Sequence, residues 1–209
     1  FKITFFFCIM EQKEERIRAI ALSYYSRKDV LDSIFKFSSN REVSPRYFEG
    51  FGKRPDSFQY PADILSLVKR GATSFHCSEE LWDDPMQLST ELTQEKLNEL
   101  RNGWDLIIDI DCAVFDYSKI AADLVIKALR FHKIKSVSCK FSGNKGFHIG
   151  VPYEAFPERI KNEAIKNLFP DAPRKIALYI KHMILPEFGD AILKLEGDIS
   201  KVLEKTGKS

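Results

Sequence analysis

The 209-residue chain has little that ties it to a partner through bulk properties. Its 32 Lys and Arg are offset by 30 Asp and Glu, leaving a formal charge of +2. No excess of one sign argues for nucleic acid, so any groove for a polyanion has to be a local concentration of Lys and Arg. Cysteine is scarce: Cys8, Cys77, Cys112 and Cys139 are scattered without CxxC spacing, as expected of reduced apolar residues in a cytoplasmic protein. His76 beside Cys77 is too small a group to hold zinc, and no zinc site is evident. Long hydrophobic runs are missing too. The opening FKITFFFCIM mimics a signal peptide, but no small-residue cleavage site follows and the run is too short to span a bilayer, so no membrane partner is expected. The chain does not open on Met, and residues 1–9 read as an upstream extension ahead of a start at Met10, outside the fold. The GxxxxGK[ST] spacing of a Walker loop is absent as well.

What is present is concentrated in two stretches. In LIIDIDC, Leu106 to Cys112, a short β-prone apolar run predicts a buried strand, in which alternate side chains share a face. Asp109 and Asp111 then point the same way, with Cα atoms about 7 Å apart, while Leu106, Ile108, Ile110 and Cys112 face the core. Two carboxylates on an apolar strand repel each other and resist desolvation unless a cation sits between them. Mg²⁺ or Mn²⁺ suits them, because hard cations prefer carboxylate oxygen and keep positions open for substrate phosphates. A strand end with solvated aspartates, or an ion pair, is the plain alternative.

In KFSGNKGFHIGV, Lys140 to Val151, Val137, Cys139 and Phe141 alternate with Ser138, Lys140 and Ser142, and after GNKG the alternation resumes. That pattern predicts a hairpin with Ser142 and His148 on one face beside the turn. Gly143 and Gly146 let the backbone approach an anion, and Asn144, Lys145 and exposed amides supply donors. An ordinary glycine turn with a buried histidine has the same pattern. Read together, the two stretches suggest a nucleoside triphosphate held between metals and phosphate donors.

The pair LIIDIDC and FSGNKGFHIGV closely resembles the signature of the archaeal and eukaryotic DNA primase small (catalytic) subunit. There hhhDhD supplies metal-binding aspartates and SGxxGxH contacts the incoming nucleotide. NREV, Asn40 to Val43, resembles that family's arginine-glutamate segment, and GATSFHCSEELW, Gly71 to Trp82, resembles the strand preceding its aspartates. The likeness covers roughly Ile17 to Pro152. It implies catalytic, metal-holding Asp109 and Asp111 in a two-metal site, and nucleotide contacts from Ser142, Gly143, Asn144, Lys145, Gly146 and His148. It further implies a role for Glu42 in orienting nearby basic groups. Arg41, Arg46, Lys53 and Arg54, in a stretch rich in Arg, Lys, Pro, Gly and aromatics, are candidates for phosphate contacts, with solvated surface charge as the alternative. The spacing does not decide which of Arg46 and Arg54 matches the family's phosphate-binding arginine.

Helical periodicity is expected from Glu11 to Tyr25, Arg27 to Phe37, Pro61 to Arg70, Thr93 to Asn102 and Lys119 to His132. Asp116 is expected at a helix entry and His132 at a helix end. Beyond Pro152 three further helices are expected, Pro157 to Leu168, Arg174 to Leu185 and Ala191 to Glu204, broken at FPDAP and PEFG. The expected organisation is an extension (1–9), an incomplete primase-like core (10–156) and a helical segment (157–209). The fold class is α/β (α+β), with a mixed or antiparallel sheet carrying both motifs between helices. No run matches the family's third metal-binding aspartate, Asp190 and Asp198 lying in helical context, so the chain reads as an N-terminal part.

The resemblance implies synthesis of short RNA primers for DNA replication within a primosome. The substrates would be nucleoside triphosphates, the template single-stranded DNA, and the partner a primase large subunit. A primase-polymerase or end-joining repair polymerase of the same superfamily would share these motifs. The missing third carboxylate leaves room for an inactive scaffold.

Overall fold

The computed structural model describes the backbone of residues 2–207 and the side chains of residues 12–207. The expectation that residues 1–9 stand outside the fold falls on side chains outside that range. In chain order the elements are α1 Lys2–Tyr25, α2 Lys28–Phe37, β1 Val43–Arg46, α3 Pro61–Lys69, β2 Ser74–Cys77, β3 Glu80–Trp82, α4 Gln94–Leu100, β4 Arg101–Trp104 and β5 Leu106–Ile110. There follow α5 Phe115–Phe131, β6 Ser138–Phe141, β7 Phe147–Val151, β8 Arg159–Ile160, β9 Glu163–Ala164, α6 Asp171–Glu196 and α7 Ile199–Thr206. The class is therefore α+β with small antiparallel sheets, as the alternating and helical patterns predict. Among the described residues no helix is long and apolar enough to cross a membrane. The chain divides into two compact units, Phe1–Asn102 and Gly103–Ser209.

In the first unit β1 and β2 pair antiparallel, Val43 opposite Cys77 and Arg46 opposite Ser74. Helix α3 begins where its sequence says it should. Pro61 occupies the first turn, and the Asp63 carboxylate accepts the N–H groups of Gln59 and Tyr60 at 2.9 and 2.8 Å. It ends at Gly71, whose φ of +103° favours glycine. Ile64, Leu67 and Val68, spaced for one helical face, are buried. Tyr25 of α1 meets Phe75 edge-on, ring centroids 5.2 Å apart.

The second unit is built around a three-stranded sheet in the order β5-β7-β6, all neighbours antiparallel. Helix α5 carries the chain from β5 to β6. The alternation within β5 works as expected: Leu106 is buried and Ile108 and Ile110 are partly buried against the core, whereas Ile107 and Asp109 are exposed. The core joins Leu106, Ile149 and Val151 of the sheet to Val125, Ala128 and Leu129 of α5 and Ile180 of α6. Trp104, wholly buried, donates its indole N–H to the Ile165 carbonyl at 2.9 Å, which satisfies the one polar atom of a large core ring.

The region after Pro152 departs from expectation in three places, one being that the helix expected from Ala191 to Glu204 is divided at Gly197, whose φ of 75° ends α6 before α7 begins. The stretch expected as a helix from Pro157 to Leu168 is a small hairpin, β8 and β9, followed by a 3₁₀ turn over Ile165–Leu168. Lys161 takes a φ of 54° in its turn, and Arg159 donates to the Asn162 carbonyl, so local turn chemistry and burial of Ile165 override a helical composition. The breaks expected at FPDAP and PEFG also differ. Pro173 sits in the first turn of α6, where its missing N–H is harmless, and the helix continues through Pro186 and Gly189 to Glu196. Ile180 and Ile192, on either side of Pro186, are both buried, so packing holds the helix through a residue that disfavours it.

Candidate active site

The two motif stretches meet in the second unit through strand register. Asp109 of β5 lies opposite His148 of β7, which lies opposite Lys140 of β6, so a carboxylate, an imidazole and an ammonium form a row across three strands. Paired residues share a face of the sheet, and here it is the face away from the core. The Asp109 and His148 side chains are 68% and 37% exposed, and His148 Nε2 stands 3.5 Å from Asp109 Oδ1. Asp111, two residues beyond Asp109, is exposed and carries no hydrogen bond or ion pair among the described residues. Lys140 was read from the sequence only as part of an alternation; its place beside His148 depends on β7 lying between β5 and β6.

The turn joining β6 to β7 closes on itself. The Ser142 N–H donates to the Gly146 carbonyl at 3.0 Å, and the Gly146 N–H donates to Ser142 Oγ at 3.2 Å. Gly146 is obligatory for a steric reason: a Cβ there would run into the carbonyl oxygen of Ile110. The turn is thereby pressed against the end of the aspartate strand. Gly143 adopts a φ of +99° in open space. The N–H groups of Gly143, Asn144 and Lys145 carry no hydrogen bond among the described residues, and all three residues are exposed. Lys145 Nζ donates to the Ala113 carbonyl at 2.9 Å, tying the turn to the segment that follows the aspartates and leaving two ammonium hydrogens for other acceptors.

That segment leads into α5, whose first turn is firmly anchored. Tyr117 is buried and donates its hydroxyl to Glu196 Oε1 at 3.0 Å, and Lys205 Nζ donates to both Glu196 oxygens at 2.7 Å. The Lys205 ammonium, with help from Tyr117, holds the Glu196 carboxyl below its usual range, while burial and the adjacent carboxylate raise the Tyr117 hydroxyl. Asp116 stands in the same turn, paired with Lys119 at 2.8 Å, and His132 caps the other end of α5; neither belongs to the site.

A divalent ion fits the aspartates through the chemistry of the donors. Asp109 and Asp111 are both exposed, and open carboxylates are the donor chemistry of a hard cation that takes its remaining ligands from water and substrate oxygen. Among the described residues no group of three His, Cys, Asp or Glu closes into a metal-binding cluster, and none of Cys77, Cys112 and Cys139 forms a disulfide.

The remaining sequence candidates lie in the first unit. Arg41 is 6% exposed, with its guanidinium donating to the carbonyls of Phe37, Ser78 and Glu79 at 3.0, 2.9 and 3.2 Å and lying over the Phe37 ring. It holds backbone together. Arg54 forms a two-pronged pair with Glu42, at 2.9 and 2.5 Å, and this bond raises the Arg54 pKa further above its ordinary value. Arg46 has no carboxylate partner among the described residues; its guanidinium lies over the Phe51 ring, 4.9 Å from the centroid. Phe51, opposite Arg46 across a turn, and His76 of β2 were not among the sequence candidates.

No family model matches the chain. An uncharacterized protein of Methanocaldococcus jannaschii is 30% identical over 109 residues, which are 52% of this chain and 24% of that protein's length. Among solved structures, the polymerase domain of ligase D from Mycobacterium tuberculosis, determined in complex with DNA, is similar with a TM-score of 0.54 at 13% identity. The similarity covers 80% of this chain and 63% of that one. The likeness is one of α+β fold.

Proposed function

We propose that the chain carries the catalytic face of a metal-dependent nucleotidyltransferase of the primase-polymerase kind. It would add a nucleotide to a 3′-hydroxyl, or to an initiating nucleotide, against a single-stranded DNA template. The observation that carries this reading is the register: Asp109 stands opposite His148, with Asp111 exposed just past the strand end and the Ser142–Gly146 turn packed against the end of β5. Asp109 and Asp111 would hold Mg²⁺ or Mn²⁺, which supplies charge neutralisation at the phosphates and acidifies the attacking hydroxyl. The hydroxyl attacks the α-phosphate and pyrophosphate leaves. His148 beside Asp109, and Lys140 on the far side of His148, offer donors for phosphate oxygen. Ser142 accepts the Gly146 N–H, which leaves its own hydroxyl hydrogen to donate. The amides of Gly143, Asn144 and Lys145, already fixed by the turn, would meet negative charge without reorganisation.

The finer reading is the small subunit of a replicative primase, working with a large subunit to make RNA primers. The fold shared with a ligase polymerase domain favours a second reading, a primase-polymerase or end-joining relative that extends existing ends. Calorimetric titration with a nucleoside triphosphate, with and without Mn²⁺, tests the common core. Binding should require both Mn²⁺ and Asp109, and His148→Ala should weaken the nucleotide more than the metal. Unchanged nucleotide affinity of Asp109→Ala in Mn²⁺ would refute the site. Product formation on an unprimed template, against a primed one, then separates initiation from extension.

A further inference from the structure

The first unit holds an aromatic and cationic cluster that the reading above does not use. After β1 the chain turns back through Tyr47–Gly50: the Tyr47 N–H donates to the Gly50 carbonyl at 2.8 Å, and Arg46 and Phe51 become bridge partners. On β2, His76 is paired with Ser44 and Ser74 with Arg46. Phe51, Arg46 and His76 therefore share one face, with the small Ser44 buried between them. The Phe51 and His76 rings meet edge to face, centroids 4.9 Å apart at 81°, and the Arg46 guanidinium lies over Phe51. Yet Phe51 is 58% exposed. A large ring thus touches two neighbours while more than half of its surface stands in water, where burial in the core would have been worth about 1.5–3 kcal/mol.

We infer that Phe51, Arg46 and His76 form a stacking platform for unpaired bases, a grip on single-stranded nucleic acid within the first unit. The chemistry selects that partner. A rigid aromatic face takes any base, a planar guanidinium can stack and contact phosphate together, and Lys53, exposed two residues on, extends the positive charge along the strand. The structure also separates Arg46 from Arg54: Arg54 spends its fork on Glu42, while Arg46 is presented beside an exposed ring. The inference rests on the proposed function for the identity of the strand as template.

The test is fluorescence anisotropy of the full chain with a labelled oligothymidylate over a range of salt. Phe51→Ala should weaken binding about tenfold, roughly 1.4 kcal/mol and within the worth of one stacked base, with an unchanged salt slope. Phe51→Trp should retain affinity, with its indole emission quenched on the oligonucleotide. Arg46→Ala should weaken binding and flatten the salt slope by about 0.7, one phosphate contact on a single strand. Wild-type affinity in Phe51→Ala, or no oligonucleotide binding by the parent chain, would overturn the platform. Nucleotide binding by Asp109→Ala in Mn²⁺, measured on the same preparations, reports on the other site. Its loss alongside an unaffected Phe51→Ala would reject the platform and leave the nucleotidyltransferase reading in place, and the opposite pair of results would do the reverse.

Discussion

The paired charges of the first unit and the motif-strand charges of the second are treated in opposite ways. In the first, Arg101 is 2% exposed and pairs with Glu80 at 2.8 Å, Arg41 is spent on three carbonyls, and Glu42 and Arg54 are locked together. Around the motif strands of the second unit, Asp109 has only an imidazole 3.5 Å away and Asp111 has no partner among the described residues. Charges that hold a fold are buried and saturated, since an unmatched buried ion is expensive. Charges kept for a ligand are left open, and the fold gains nothing from them. The sharpest way to break this comparison is to exchange the expected costs.

The largest effect should come from Arg101→Met, which strands Glu80. Burial already raises the Glu80 carboxyl despite Arg101, so loss of the guanidinium should cost about 3–5 kcal/mol in urea unfolding. A cost below about 1 kcal/mol would mean the pair is ornamental. Next is Gly146→Ala. The added methyl meets backbone at Ile110, which cannot rotate away, so about 1–3 kcal/mol should be lost together with nucleotide affinity. If stability falls but nucleotide binding survives, the turn is a structural device only.

The second unit also contains one saturated charge cluster, which sharpens the contrast by pH. The Lys205 ammonium lowers the Glu196 carboxyl, so this group adds stability that is present above its unfolded value near 4.5. That contribution is lost as pH falls through the lowered folded value. Urea midpoints measured downward from neutral pH should therefore fall less steeply below about pH 4.5 in Glu196→Gln than in the parent. Equal slopes would remove Glu196 from the list of fold-holding charges.

Much of this was legible from local pattern. The exposed side of β5 follows from period-two alternation, and the Ser142–Gly146 turn from its two glycines, because both depend on neighbours in sequence. The register did not. Nothing in LIIDIDC says that His148 will stand opposite Asp109, or that Lys140 completes the row, because β7 inserts between strands separated by a helix. Arg41 reads as one more surface cation until long-range packing on Ser78 and Glu79 buries it. At the far end, Pro186 signalled a helix stop that burial of Ile180 and Ile192 overrode, and PERIKNEAIKNL had a helical composition but folded as a hairpin.

The smallest effect is the most diagnostic of the comparison. If Asp111 serves a ligand and not the fold, Asp111→Asn should change unfolding free energy by no more than about 0.5 kcal/mol, as for a surface residue without partners. Any change should be toward stability, since Asn keeps the shape and removes one of two exposed like charges two residues apart in sequence. The same variant should lose Mn²⁺-dependent nucleotide binding. Stability held and binding lost would place Asp111 among the groups maintained at the fold's expense. A clear loss of stability would instead make it a structural carboxylate and return the Asp109–Asp111 pair to the solvated strand end that the sequence alone could not separate from a metal site.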